Sequence, residues 1–148
     1  MSEKGSIEKV IASEGKHVST TSGFSMWPLF YDRRDTIIVL PFEGRLNKYD
    51  VPLYRRGDQY VLHRIIKVLP DSYIIRGDNC LAKEYGICDE DILGVLRAFY
   101  RKDKYYEVSN FWYRVYSVII VALHPVCVRA KFRVKGIISA VLRRLRKK

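Results

Sequence analysis

The chain has 148 residues, is 48% hydrophobic and 29% charged, and carries a formal net charge of +11. That length suits one domain with a modest core, and the composition excludes a disordered chain. The charge is uneven: ten Lys and Arg but no acidic residue follow Glu107, so the first 113 residues carry a net charge of only +1.

A basic tail on a nearly neutral body points to an anionic surface, either lipid head groups or nucleic acid. The three cysteines, Cys80, Cys88 and Cys127, are odd in number and fit no zinc spacing. They are expected to be free thiols facing a reducing compartment. The N-terminal stretch is polar and reads as neither a signal peptide nor a membrane anchor. The expected location is the cytoplasm or the periphery of a membrane.

In chain order, Ile7, Val10 and Ile11 have the spacing of a short helix over 6–14. Residues 17–21 alternate and are β-branched, which predicts a strand that Gly23 ends. A compact apolar strand at 36–40 stops at Pro41. Residues 50–54 and 59–68 read as two strands joined by Arg55-Arg56-Gly57-Asp58. A strand at 72–76 ends in Gly77-Asp78-Asn79, and 92–100 with 104–108 form a predicted hairpin. Short strands with frequent turns predict a mainly β fold, a partly open antiparallel barrel or sheet spanning 1–109. Residues 110–148 form a C-terminal segment, apolar and then basic. Its uninterrupted apolar run, 115–123, is far short of the roughly 20 residues a membrane span needs. It is predicted to kink or end at Pro125. Beyond it, Val134, Ile137, Ile138, Val141 and Leu145 share one face of a basic amphipathic helix.

Three segments carry candidate chemistry. In Ser22-Gly23-Phe24-Ser25-Met26-Trp27-Pro28, a serine directly after a strand and a glycine is presented at a turn, where backbone N–H groups can stabilise an oxyanion. In Val61-Leu62-His63-Arg64-Ile65, a histidine predicted mid-strand, sharing a face with Val61 and Ile65, has the pKa of a general base. In Arg76-Gly77-Asp78-Asn79, an acid or amide can orient an imidazole or brace a turn. Each has an ordinary structural explanation when taken alone: a turn serine, a packed histidine, a common turn.

Their order gives them weight. The boxes Gly23-Phe24-Ser25-Met26-Trp27-Pro28, Arg34-Asp35-Thr36-Ile37, Tyr49-Asp50-Val51-Pro52, His63-Arg64-Ile65, Gly77-Asp78-Asn79 and Ile92-Leu93-Gly94-Val95 cover roughly residues 16–100. In that order they resemble the signal peptidase and LexA-type serine peptidase superfamily, in particular its compact bacterial members. The resemblance implies a hydrolase with Ser25 as nucleophile and His63 as dyad base, where Lys is commoner. It places Met26 beside the nucleophile, Asp35 and Asp78 as bracing acids, and Arg64 after the base. Gly23 stands where many relatives carry a serine that donates to the oxyanion, which leaves that task to the Ser25 amide, alone or with a neighbour. Enzymes of the His type carry an aspartate pair after Gly-Asp-Asn. Here Cys80-Leu81-Ala82-Lys83-Glu84 stands instead, so Asp78 and Glu84 compete as third member.

The leading expectation is a serine endopeptidase acting through an acyl-enzyme, with a peptide or protein as its partner and no cofactor or metal. A peptide-binding module of the same fold is the first alternative. The second is a protein driven by its tail, for which residues 111–148 suit an anionic membrane surface and the sparse aromatics of the tail argue against nucleic acid. Alternatively, 115–123 packs on the sheet and completes the core. His17, on the strand before the nucleophile turn, is close enough in sequence to approach the site, and His124 is expected to be structural.

Overall fold

A computed structural model describes residues 6–145; beyond Val126 it describes side chains only at Ala130, Arg133, Val134 and Arg143. Helix α1 (Ser6–Glu14) buries Ile11 and ends at Gly15, whose N–H bonds the Ile11 carbonyl at 3.0 Å. Strand β1 (His17–Thr20) pairs with β2 (Thr36–Leu40), and β2 with the long β8 (Ile92–Arg101). On its other edge β8 pairs with β3 (Pro52–Arg56), and β3 with β4 (Gln59–Leu62). Strand β9 (Lys104–Glu107) folds back on the end of β8. A second sheet has the order β5 (Arg64–Val68), β6 (Tyr73–Arg76), β7 (Glu84–Ile87). All pairings are antiparallel. The chain is mainly β, with a curled antiparallel sheet and a C-terminal helix, as the sequence predicts. The curl brings the two edge strands β1 and β4 to the same cleft.

Two apolar clusters hold the sheets. Ile11, Met26, Phe30, Val39, Leu53 and Phe99 form one; Tyr54, Ile65, Tyr73, Ile75 and Val95 form the other. Strand β3 faces both, because Leu53 packs in the first and Tyr54 in the second. Gly94 lets β8 cross β2 closely, since a Cβ there would lie 2.7 Å from the Leu40 carbonyl oxygen.

Three expectations are corrected. The predicted strand over 59–68 is two strands in two sheets, and His63 sits at the break rather than mid-strand. His63, Arg64 and Ile65 are all buried in succession, His63 beside Tyr54 and Arg64 beside Asp78. Val61 and Ile65 nonetheless pack in the same apolar cluster, which contains Tyr54, the neighbour of His63. Strand β7 has no counterpart in the sequence reading. Pro125 lies inside one continuous helix, α2 (Phe111–Leu145), and does not end it. Its ring is exposed, on the side where a helix tolerates a lost hydrogen bond best.

Helix α2 packs through Tyr113, Tyr116 and Ser117. Of the face expected beyond Pro125, Val134 is exposed; the side chains of Ile137, Ile138, Val141 and Leu145 lie outside the described residues, as does that of Cys127. Cys80 and Cys88 are free thiols.

At the centre, Arg64 is wholly buried. Its Nε and Nη2 donate to the two oxygens of Asp78, each at 2.8 Å, and its Nη1 donates to Ser117 Oγ at 2.8 Å and the Tyr49 carbonyl at 3.1 Å. Tyr116 donates its hydroxyl to Asp78 at 3.2 Å. Burial opposes the guanidinium charge, and Asp78 outweighs it, so Arg64 is held protonated well beyond its ordinary range. Removing one partner of such a pair strands the other charge in the interior. Asp78→Ala should therefore lower unfolding free energy by about 3–5 kcal/mol in urea titrations. Arg45→Ala, at the solvent-facing pair with Asp89, should lose less than about 1 kcal/mol. Similar losses in the two variants would contradict a central role for the buried pair.

Candidate functional site

Ser25 lies in a turn closed by its own loop. Thr21 Oγ1 donates to the Tyr31 carbonyl at 3.0 Å, and the Thr21 N–H to the Asp35 carbonyl at 2.9 Å. Asp35, wholly buried, accepts from the Tyr31 N–H at 2.8 Å, from Arg34 Nε at 2.7 Å and from the Lys102 N–H at 3.3 Å. Asp35 thus braces the loop behind Ser25 and ties it to the β8–β9 turn, without touching the imidazole. Gly23, at φ 87°, donates its N–H to Asp32 at 2.7 Å. That positive φ explains why glycine stands there and not a serine. Met26 is buried in the first core and anchors the turn.

The Gly77-Asp78-Asn79 turn grips the Ser25 turn directly. The Asn79 N–H donates to the Ser25 carbonyl at 2.8 Å, and its Nδ2 to the Phe24 carbonyl at 3.0 Å. The Phe24 carbonyl also accepts the Trp27 N–H at 3.2 Å. A peptide unit is planar and trans, so fixing the Phe24 carbonyl fixes the Ser25 N–H on the opposite side. No described residue accepts that N–H, which leaves it available as an oxyanion donor. A Cβ on Gly77 would lie 2.6 Å from the Ser25 carbonyl oxygen, 2.8 Å from Cys80 Sγ and 3.0 Å from His63 Nε2. Only glycine lets these three atoms converge.

His63 is buried to 5% exposure, and its ring is fixed from behind. Nδ1 lies 2.8 Å from Glu84 Oε1 and 3.3 Å from the Tyr54 hydroxyl. A carboxylate only accepts, so Nδ1 carries the proton and the Nε2 lone pair faces the Gly77–Ser25 side. Burial lowers the His63 pKa below its ordinary value, while Glu84 pulls it the other way. Burial would raise the Glu84 carboxyl, but hydrogen bonds from Tyr54 and His63 outweigh it and hold the group below the usual range. Burial and the nearby Glu84 push the Tyr54 hydroxyl far up, so it stays protonated as a donor. Arg56 adds a contact to Glu84 at 3.3 Å.

Glu84 faces His63, whereas Asp78 faces Arg64. Lys83, the departure from the family pattern, is exposed. Ser25, His63 and Cys80 line one cleft of about 660 Å³ with β1, β4 and Ile7 of α1. His17 lies on the same wall, and burial lowers its pKa. His124 is buried behind this region, with its Nε2 unpartnered. Burial raises the Cys80 thiol, which keeps it neutral beside the base. A larger cleft, about 770 Å³, lies between β8, β9 and α2 but contains no histidine.

Sequence reasoning missed Tyr54 and Asp32. Nothing distinguishes Tyr54 from an ordinary strand aromatic, and Asp32 had only the generic signal of an acid near a turn.

The network makes a signed prediction. Glu84→Gln removes the charge that favours imidazolium, so the His63 pKa should fall further. Tyr54→Phe removes a donor from Glu84, leaves the carboxylate more basic, and should raise it. Histidine side-chain NMR titration of the two variants checks this; shifts in the same direction would contradict the arrangement.

No protein-family model matches this sequence, and neither a curated protein nor a solved structure is significantly similar to it.

Proposed function

We propose that this chain is a serine endopeptidase with a fold of the signal peptidase and LexA type. The observation that carries the reading is the convergence of the Ser25 carbonyl oxygen and His63 Nε2 on Gly77, with Glu84 behind the ring. In the proposed reaction, His63 Nε2 takes the Ser25 hydroxyl proton as Oγ bonds the scissile carbonyl carbon. The resulting oxyanion faces the Ser25 N–H. The imidazolium, steadied by Glu84, then protonates the leaving amine as the C–N bond breaks. Water, deprotonated by the same ring, hydrolyses the ester and restores the serine. Edge strands β1 and β4 both line the cleft, so an extended peptide is the substrate form that fits, pairing as an added strand.

One observation favours a non-cleaving peptide-binding module: the Ser25 hydroxyl makes no hydrogen bond among the described residues. Catalytic hydrogen bonds commonly tighten only around bound substrate, so this geometry remains compatible with catalysis. A peptide-library cleavage assay separates the two. Ser25→Ala and His63→Ala should each lower kcat by roughly a thousandfold or more. Binding of a peptide with no cleavage by the unaltered chain, or full cleavage by either variant, would contradict the proposal.

A further inference from the structure

We propose that α2 is an interfacial helix that docks this chain on an anionic bilayer. The helix has two unlike faces over its first four turns. Tyr113, Ser117 and His124 face the body, and Ser117 receives Arg64. The opposite face carries Phe111, Trp112, Val118, Ile119, Leu123 and Val126, all exposed; Trp112 is 74% exposed and Val126 67%. The alternatives raised by the sequence, a segment that completes the core or one that meets a membrane, thus describe two faces of one helix.

A contiguous apolar face of this kind on a lone chain needs a partner. Charge identifies it. No acidic residue follows Glu107, and ten basic residues do, among them the exposed Arg133 and Arg143 farther along the same helix. An apolar face followed by cations matches the acyl boundary and anionic head groups of a lipid surface. A second copy of the chain would bring ten more cations against the first ten. A nucleic acid would gain nothing from the aliphatic side chains. Trp112, stacked edge-on against Phe111, is the residue type that anchors at the head-group level. Among the described residues no helix is long and apolar enough to cross a membrane, so this helix lies in the surface plane. At 1.5 Å per residue, its 35 residues extend about 50 Å along that plane.

Truncation before α2 would strip Tyr113 and Ser117 from Arg64, so the test uses point substitutions in the full chain. Ile119→Glu with Leu123→Glu places two carboxylates on the exposed face. Flotation is measured with vesicles of equimolar phosphatidylcholine and phosphatidylglycerol, and with phosphatidylcholine alone. The unaltered chain should float with the anionic vesicles, bind phosphatidylcholine poorly and detach at high salt. The double variant should partition roughly tenfold less or weaker still. Circular dichroism checks that it remains folded; if it does not, Ile119→Gln with Leu123→Gln replaces it. Absence of binding to anionic vesicles, or equal binding by the folded variant, overturns the proposal. A dimer in sedimentation equilibrium that these substitutions dissociate also overturns it, and assigns the face to a second copy. None of these readouts depends on peptide hydrolysis.

Discussion

The fold is organised around one buried ion pair, Arg64 with Asp78. A guanidinium with no solvent access needs acceptors around it, and its donors reach three parts of the chain: the Gly77-Asp78-Asn79 turn, the Tyr49 backbone, and α2 through the Tyr113 and Ser117 side chains. The second sheet, the turn that grips Ser25, and the C-terminal helix are therefore held at one point. The pair also places the chemistry. His63 precedes Arg64 and Gly77 precedes Asp78, so seating the two charges brings the imidazole and the glycine next to it into register. The desolvation of this pair is tolerable because each guanidinium nitrogen and both Asp78 oxygens are hydrogen-bonded.

Around that point the site divides into a part held by side chains and a part held by backbone. Glu84 and Tyr54 hold the imidazole and fix its tautomer, and burial favours its neutral form. The Ser25 turn is held through its own carbonyls, which accept from the Asn79 N–H and Nδ2, and by Met26 in the core, with Asp35 and Asp32 tying down the loop behind it. Such a division lets the serine hydroxyl rotate while its amide stays fixed, an arrangement suited to a group that must first meet a substrate and then an oxyanion.

Much of this was legible in the sequence, and the failures share a cause. Strand 36–40 and helix 6–14 were read correctly because each follows one simple period. The stretch 59–68 misled because Tyr60, Val61, Ile65 and Ile66 look like one strand. The break at His63 passes the chain from one sheet to the other, a tertiary feature invisible to local pattern. Strand β7 was missed because Glu84-Tyr85-Gly86-Ile87 contains a glycine at positive φ and has no alternation. Its pairing with β6 is what delivers Glu84 to His63. The sequence offered Asp78 and Glu84 on equal terms, because both follow the same glycine within a few residues; only the buried Arg64 decides between them. At Pro125 local chemistry argues for a kink or an end, and the helix continues through it.

The account depends most on Ser25 being a nucleophile activated by His63. Treating the folded chain with a fluorophosphonate and mapping the adduct by peptide mass spectrometry tests that link without knowledge of the substrate. The predicted result is a phosphonylated Ser25 in the unaltered chain, labelling strongly slowed in His63→Ala, and slowed to a lesser degree in Glu84→Gln. Modification at other serines with Ser25 untouched, or labelling of Ser25 at the same rate without His63, would contradict the account.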